Sequence, residues 1–296
     1  MTILRPARFS PAKQRQFCGT PACAALFAMG LAIVPTLGFC QEPTAGQQVK
    51  VESTVQSGNS AINILSRARD SVGKFFENSA NVLCAESVNQ VVLGQNGKPT
   101  YREESRYDYQ FETSSASGNF KVKESREARK LPFRDPSRTL LVTNGFASLL
   151  LIVHPRYETS YLFELAGEQT VDGAVLVEFR FKPIPGGSSP AALQLRGKSF
   201  PLPLTGSIWI DKQSGAITRL TAAVDSSLGD LGLQGMSSDI HYALVQFHDP
   251  EESYWMPVSA TIDVETRRQH WRNIHRFTGY KRFRATIRVE ELEAKQ

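Results

Sequence analysis

Apolar and polar positions along the chain follow two different periods, one near the start and one through the remainder. Between Asn59 and Glu77, Ile62, Leu65, Ala68, Arg69, Val72, Phe75 and Phe76 recur at helical spacing, with Arg67, Asp70, Lys74 and Glu77 off that face. Asn59 or Ser60 supplies the N-cap, and the spacing predicts a helix over about 60–78. Burying its five large apolar side chains is worth roughly 1.5–3 kcal/mol each before entropy. Such a helix needs a sheet to lie on.

After this helix the period drops to two. Val82–Leu93 reads as a strand that ends at Gly94-Gln95-Asn96-Gly97, where Asn-Gly signals a hairpin. Tyr101–Phe111 alternates Tyr107, Tyr109 and Phe111 with Arg106, Asp108 and Gln110. Asn119–Leu131 reads as a charged, edge-like strand. Thr139–Leu151 fits either a short helix around Asn144–Leu149 or a buried strand. Val153–Phe163 and Ala174–Lys182 read as strands. The latter sets Val175, Val177, Phe179 and Phe181 against Glu178, Arg180 and Lys182, one dry side and one wet. Pro183–Pro203 is a Pro- and Gly-rich loop with a short helix near Ala191–Leu195.

The most regular hairpin is Leu204–Val224. Ile208 and Ile210 flank Trp209, Asp211-Lys212-Gln213-Ser214-Gly215 forms the turn, and Ile217–Val224 returns. A Gly-rich insertion, Ser226–Ser238, follows. Asp239–His248, Tyr254–Glu265, Gln269–Thr278 and Tyr280–Glu290 complete the strands. One helix followed by about ten strands on short turns excludes alternating βαβ units. The expected fold is mainly β (α+β): a curved antiparallel sheet, an unclosed β-barrel, wrapping an N-terminal helix.

Ahead of the helix, residues 1–40 carry Arg5, Arg8, Lys13 and Arg15 and no acid, and then an apolar run, Ala22–Phe39. Polar Gln41-Glu42-Pro43 follows. This is the pattern of a secretory signal peptide, with cleavage expected after Cys40 and a periplasmic or secreted mature chain. Phe39 stands where a lipobox needs a small residue, which argues against lipid attachment at Cys40. A retained membrane anchor is the alternative, against which Pro35 and the short run argue. Residues 41–58 read as a disordered tether, leaving 59–296 as one domain.

This division changes how the charge is understood. The 296 residues carry a formal +5, but without the four leader cations 30 basic residues face 29 acidic ones. The basic balance therefore implies no nucleic-acid partner. Cys18, Cys23 and Cys40 fall in the leader, so the mature chain keeps only Cys84, read as a packing residue.

Little chemistry stands out. His248-Asp249 could contribute two metal ligands or a hydrolase site, but no third ligand has suitable spacing. His270 and His275, five apart, point to opposite faces of a strand. There is no G-x-S-x-G elbow, and Gly229, Gly232 and Gly235 lack the context of a dinucleotide site. The expectation is no catalytic residue, no metal and no cofactor. The basic run Arg267, Arg268, Arg272, Arg276, Lys281, Arg282, Arg284 and Arg288, interleaved with Trp271, Phe277, Tyr280 and Phe283, is read as a solvated face. Its functional alternative is a docking surface for an acidic envelope partner or anionic headgroups, with Arg272, Arg276, Arg282 and Arg284 as its core.

The leader, the leading helix Ile62–Phe76, the strand run and the hairpin Gly206-Ser207-Ile208-Trp209-Ile210-Asp211 with Gly215 together resemble the LolA and LolB lipoprotein-carrier family. Tyr254-Trp255-Met256-Pro257 and Tyr280-Lys281-Arg282-Phe283 fit the same pattern. The resemblance spans about residues 60–290. It implies an unclosed barrel with a helical lid that holds acyl chains of a lipid or lipoprotein without catalysis. The inward side chains Val177, Phe179, Phe181, Ile208, Ile210, Phe283 and Ile287 are then the candidate wall. The alternative is the same fold with a filled interior, acting as an envelope interaction or sensor protein through its basic face.

Overall fold

The structure, a computed structural model, describes residues 2–4, 50–78, 82–114, 121–130, 141–143, 145–195, 198–224, 228–229, 232–248 and 251–282. The leader and its cleavage point lie outside these residues, apart from Thr2–Leu4. So do residues 41–49 of the tether, and so do Phe283, Arg284 and Ile287.

The helix, α1, runs Lys50–Asn78. It starts ten residues before the expected cap and so takes in sequence read as tether. Its buried face is Ala61, Ile64, Ala68, Val72, Phe75 and Phe76, whereas Ile62 is 66% exposed. Ile62 and Ile64 flank the edge of the apolar stripe, and the sheet buries Ile64, in line with Ala68 and Val72 at four-residue steps.

Strand β1 is Thr2–Leu4, β2 Val82–Leu93, β3 Pro99–Ser114, β4 Lys121–Lys130 and β5 Leu141–Thr143. After two 3-10 turns come β6 Tyr161–Val171, β7 Ala174–Pro183, β8 Ala192–Leu195 and β9 Lys198–Pro201. β10 Leu204–Asp211, β11 Ile217–Val224, β12 Leu233–His248, β13 Glu251–Thr266 and β14 His270–Arg282 follow. Ten of them form one sheet in the order β4-β3-β2-β14-β13-β12-β11-β10-β7-β6. Every pairing in it is antiparallel, and β4 and β6 do not pair with each other, so the barrel is open. A small second sheet has the order β5-β1-β8-β9, with β1 antiparallel to β5 and parallel to β8.

Several expectations change in detail. The stretch 153–163 is strand only from Tyr161. Pro155–Ser160 is a 3-10 turn capped by His154, whose Nδ1 accepts from the Arg156 N–H at 3.0 Å. The expected helix near Ala191–Leu195 is the strand β8. β6 continues to Val171 and turns at Asp172-Gly173, both with positive φ. The expected strand Gln269–Thr278 and the described start of the next, residues 280–282, are one strand, β14, with a bulge between Thr278 and Lys281 around Gly279, whose φ is +65°.

The strand order also dictates what fills the interior. The first strand of the large sheet, β2, pairs with the last, β14, which leaves β4 and β6 as the two edges. The chain therefore leaves one edge at Lys130 and re-enters at the other at Tyr161. Its described part, residues 145–160, crosses the inner side. Phe146, Ala147 and Leu149–Val153 are buried in one cluster with α1 and the inward faces of the strands.

Candidate functional site

The inner side of the sheet holds three features: a packed centre, a buried charge cluster, and an open cleft at one side of α1.

In the centre, Val177, Phe179, Phe181, Ile208 and Ile210 are at most 3% exposed. β7 and β10 bring them together, with Phe179 opposite Ile208 and Val177 opposite Ile210. They belong to the same cluster as Ile64, Val72 and Phe76 of α1 and as Leu150 and Ile152 of the crossing segment. These five of the side chains expected to line a lipid wall thus touch the protein's own core. The space left beside the crossing segment is a cavity of about 30 Å³ bordered by Phe146, Leu149, Leu202 and Leu204. That is room for about one water.

The charge cluster lies where β2, β4 and β14 face inward. Glu86, with a fully buried side chain, accepts from Arg126 Nη2 at 2.7 Å and from Arg126 Nε, and pairs with His275 Nδ1 at 2.8 Å. Burial alone would raise the Glu86 pKa. The His275 hydrogen bond and the Arg126 guanidinium nevertheless hold it below the usual carboxylate value. Burial pushes His275 below the ordinary histidine value, with Glu86 opposing. The ring of Phe146 packs 4.6 Å from His275 and 5.5 Å from the Arg126 guanidinium.

One strand position away, Glu124 ties down the crossing segment. Its carboxylate accepts from the N–H groups of Gly145, Phe146 and Ser148, from the Ser148 hydroxyl and from the Tyr109 hydroxyl, at 2.5–3.1 Å. The Tyr242 hydroxyl donates to the Phe146 carbonyl at 2.9 Å. Cys84 is buried nearby, and its thiol is pushed up to about 12, chiefly by burial. These groups are bonded to one another and hold the crossing segment against β3 and β4. Cys84 is buried, as its reading as a packing residue expected, but sequence reasoning missed the Glu86 and Glu124 clusters: the partners of Glu86 lie 40 and 189 positions away, and nothing local marks them.

The third feature is a cleft of about 300 Å³ between α1 and the sheet. Val72 and Phe75 form its helix wall, Leu150 and Ile217 its floor, and Leu244, Tyr254 and Trp255 its far side. The turn after β10 closes one end. There Asp211 accepts from the N–H and hydroxyl of Ser214, and Gly215 takes φ +73°. Arg67 of α1 donates to the Lys212 and Gln213 carbonyls at 2.7 and 3.1 Å, fixing the helix to that turn. Leu244, at the rim, is 52% exposed.

The expected docking arginines divide. Arg272 is exposed and paired with Asp263 at 2.9 Å, and Arg276 is exposed. Arg282 is instead engaged within the protein: it pairs with Glu252 and donates to the Asn78 carbonyl at the end of α1 at 2.9 Å. His270 and His275 do face opposite sides, one beside Asp263 and the other beside Glu86. His248 is exposed at the end of β12, and Asp249 lies outside the described residues. Among the described residues no group of three His, Cys, Asp or Glu could hold a metal ion, and no helix is long and apolar enough to cross a membrane.

No protein-family model and no curated protein sequence matches the chain. Solved structures do. A LolA superfamily protein from Nitrosomonas europaea is 12% identical, with a TM-score of 0.38 over 76% of this chain and 94% of that one. A DUF1329 family protein from Desulfovibrio piger is 12% identical, with a TM-score of 0.39 over 77% and 94%. The strand order and register stand independently of these likenesses, and the chain is one to which LolA-superfamily structures are similar: an open antiparallel sheet around a leading helix.

Proposed function

We propose that the protein is a non-catalytic, carrier-like binding protein of the cell envelope that takes an acyl chain into the cleft beside α1. The observation that carries this reading is the placement of accessible apolar surface. The centre of the sheet is occupied by the crossing segment, whereas Phe75, Leu150, Ile217, Leu244 and Trp255 surround open space. A volume near 300 Å³ is at the lower end for small-ligand sites. Each buried methylene contributes about 0.8 kcal/mol, so a chain burying about eight gains roughly 6 kcal/mol before losses of freedom. That suits reversible loading rather than permanent sequestration. Native mass spectrometry of protein purified from its own envelope, together with titration of a fluorescent fatty acid, tests the reading. No co-purifying lipid and no uptake of the probe would overturn it.

A second reading is favoured by the packed centre: an interaction protein that binds an acidic envelope partner through the outer face of β14. Arg272 and Arg276 are the available groups, since Arg282 is engaged internally. Reversing both charges should abolish capture of such a partner, and undiminished capture would remove this alternative.

A further inference from the structure

The acyl-chain reading leaves open what the head of the guest looks like, and the rim of the cleft bears on that. The walls are apolar, and the polar side chains among the lining residues are Ser71, Lys74, Ser214, Ser253 and the ends of Tyr254 and Trp255. Two of these are committed elsewhere. The Ser214 hydroxyl donates to Asp211 at 2.6 Å, and the Tyr254 hydroxyl donates to Glu252 at 2.6 Å. No carboxylate borders the cleft among the described residues.

Lys74 is the one charged residue of that lining. It sits on the exposed edge of α1, one position before Phe75, which enters the core. It has no ion-pair partner among the described residues, although Asp70 and Glu77 stand four before and three after it on the same helix. Arg67 and Arg69, by contrast, are both bound to other parts of the chain. Lys74 borders the apolar slot, whereas Asp70 and Glu77 do not line it, and an ammonium at the edge of such a slot favours an anionic head over a cationic one. Its four-carbon stem can lie along the wall while its head stays in water.

We infer that the cleft selects a single-chain amphiphile with an anionic head, and that Lys74 reads the head. This rests on the acyl-chain reading and adds the class of ligand. One chain is specified because the cleft holds about 300 Å³. An anion is specified because Lys74 is the one charged residue that lines the cleft among the described residues. Ser71 and Ser253, both exposed at the same rim, supply further donors to a carboxylate or phosphate.

Calorimetric titration of the full chain with four C12 probes below their micelle concentrations tests this: dodecanoate, dodecyl phosphate, dodecanol and dodecyltrimethylammonium. The expected result is that an anion binds about tenfold more tightly than the cation, with dodecanol between them. The stronger of the two anions distinguishes a fatty-acid source from a lipid phosphate. Lys74→Ala should remove the preference, Lys74→Glu should reverse it and Lys74→Arg should retain it. Lys74 is exposed on the helix surface, so all three variants should keep the parent circular dichroism. If the probes bind regardless of head charge, or if Lys74→Glu leaves the anion preference unchanged, the inference fails and the acyl-chain reading stands. If no probe binds, both fail. Sedimentation as a dimer that dodecanoate does not dissociate would assign the cleft to a second copy and overturn the inference.

Discussion

Removing the carboxylate of Glu86 tests whether the interior is held by its charge cluster. The Glu86 side chain has no exposure, Arg126 is 10% exposed and His275 1%. Glu86→Ala deletes the acceptor of two guanidinium hydrogen bonds and of the His275 contact, and strands a cation in the core. Breaking a buried pair from one side costs about 3–5 kcal/mol. The lower end is expected here, because Arg126 keeps the ring faces of Tyr107, Tyr109 and Phe146, at 5.5–5.9 Å, as residual partners. Urea unfolding should show a lower midpoint with an unchanged slope. The double variant Glu86→Leu, Arg126→Met removes both charges together and should recover at least half of the loss. A cost under about 1 kcal/mol for Glu86→Ala, or a double variant no more stable than the single, would refute the reasoning. The same cluster sets a pH dependence. Both Glu86 and His275 have folded pKa values below their ordinary 4.5 and 6.5. The unfolded chain therefore binds more protons, and stability falls on acidification, first below pH 6.5 through His275 and then below 4.5 through Glu86. His275→Gln should flatten the first part of that decline.

Glu124→Ala should cost about 2–4 kcal/mol, because it leaves three backbone N–H groups and two hydroxyls without their acceptor; amide exchange at Gly145, Phe146 and Ser148 should accelerate more than in the β12–β13 ladder. Gly206→Ala should lower the free energy of unfolding by more than about 2 kcal/mol, since a Cβ there would lie 1.9 Å from the Thr221 carbonyl oxygen and 2.9 Å from the Phe181 ring; a near-neutral effect would contradict the close approach of β10 and β11. Cys84 should resist iodoacetamide in the native state at about pH 8 and react fully in urea, because its thiol is buried and its pKa stands at about 12; rapid native labelling would place it elsewhere.

Periodicity located what local chemistry dictates. Val82–Leu93 has the same limits in sequence and structure: its burial alternates from Val82 to Gln90, and Gly94 ends it. The 204–224 hairpin follows from Asp211, Ser214 and Gly215, all of which act within five residues. Where a local signal was ambiguous, packing decided. Ile62 and Ile64 are equally apolar, and only the direction of the sheet selects the second. His154-Pro155 is a helix-start signal that the apolar run Leu149–Val153 just before it obscured. β6 beyond Phe163 lacks alternation because it is an edge strand, exposed along Glu164–Val171 apart from Gly167, and so under little pressure to show a pattern.

What periodicity could not convey is strand order, and strand order determines the site. A run of ten antiparallel strands is compatible with simple succession, in which β4 would neighbour β6 and the middle of the sheet would stay free. The structure pairs β2 with β14 instead. That choice separates β4 from β6 by the full width of the sheet, and the connecting segment spans the concave side, where Phe146–Val153 take the volume a guest would need. With the centre filled, α1 cannot seal the whole interior. It packs through Phe75 and Phe76 against Phe111 at one side. Toward Leu244 and Trp255 it leaves the sheet uncovered. The apolar opening beside Lys74 is therefore a consequence of the topology, and the proposed guest would sit at the margin of the sheet rather than in its middle.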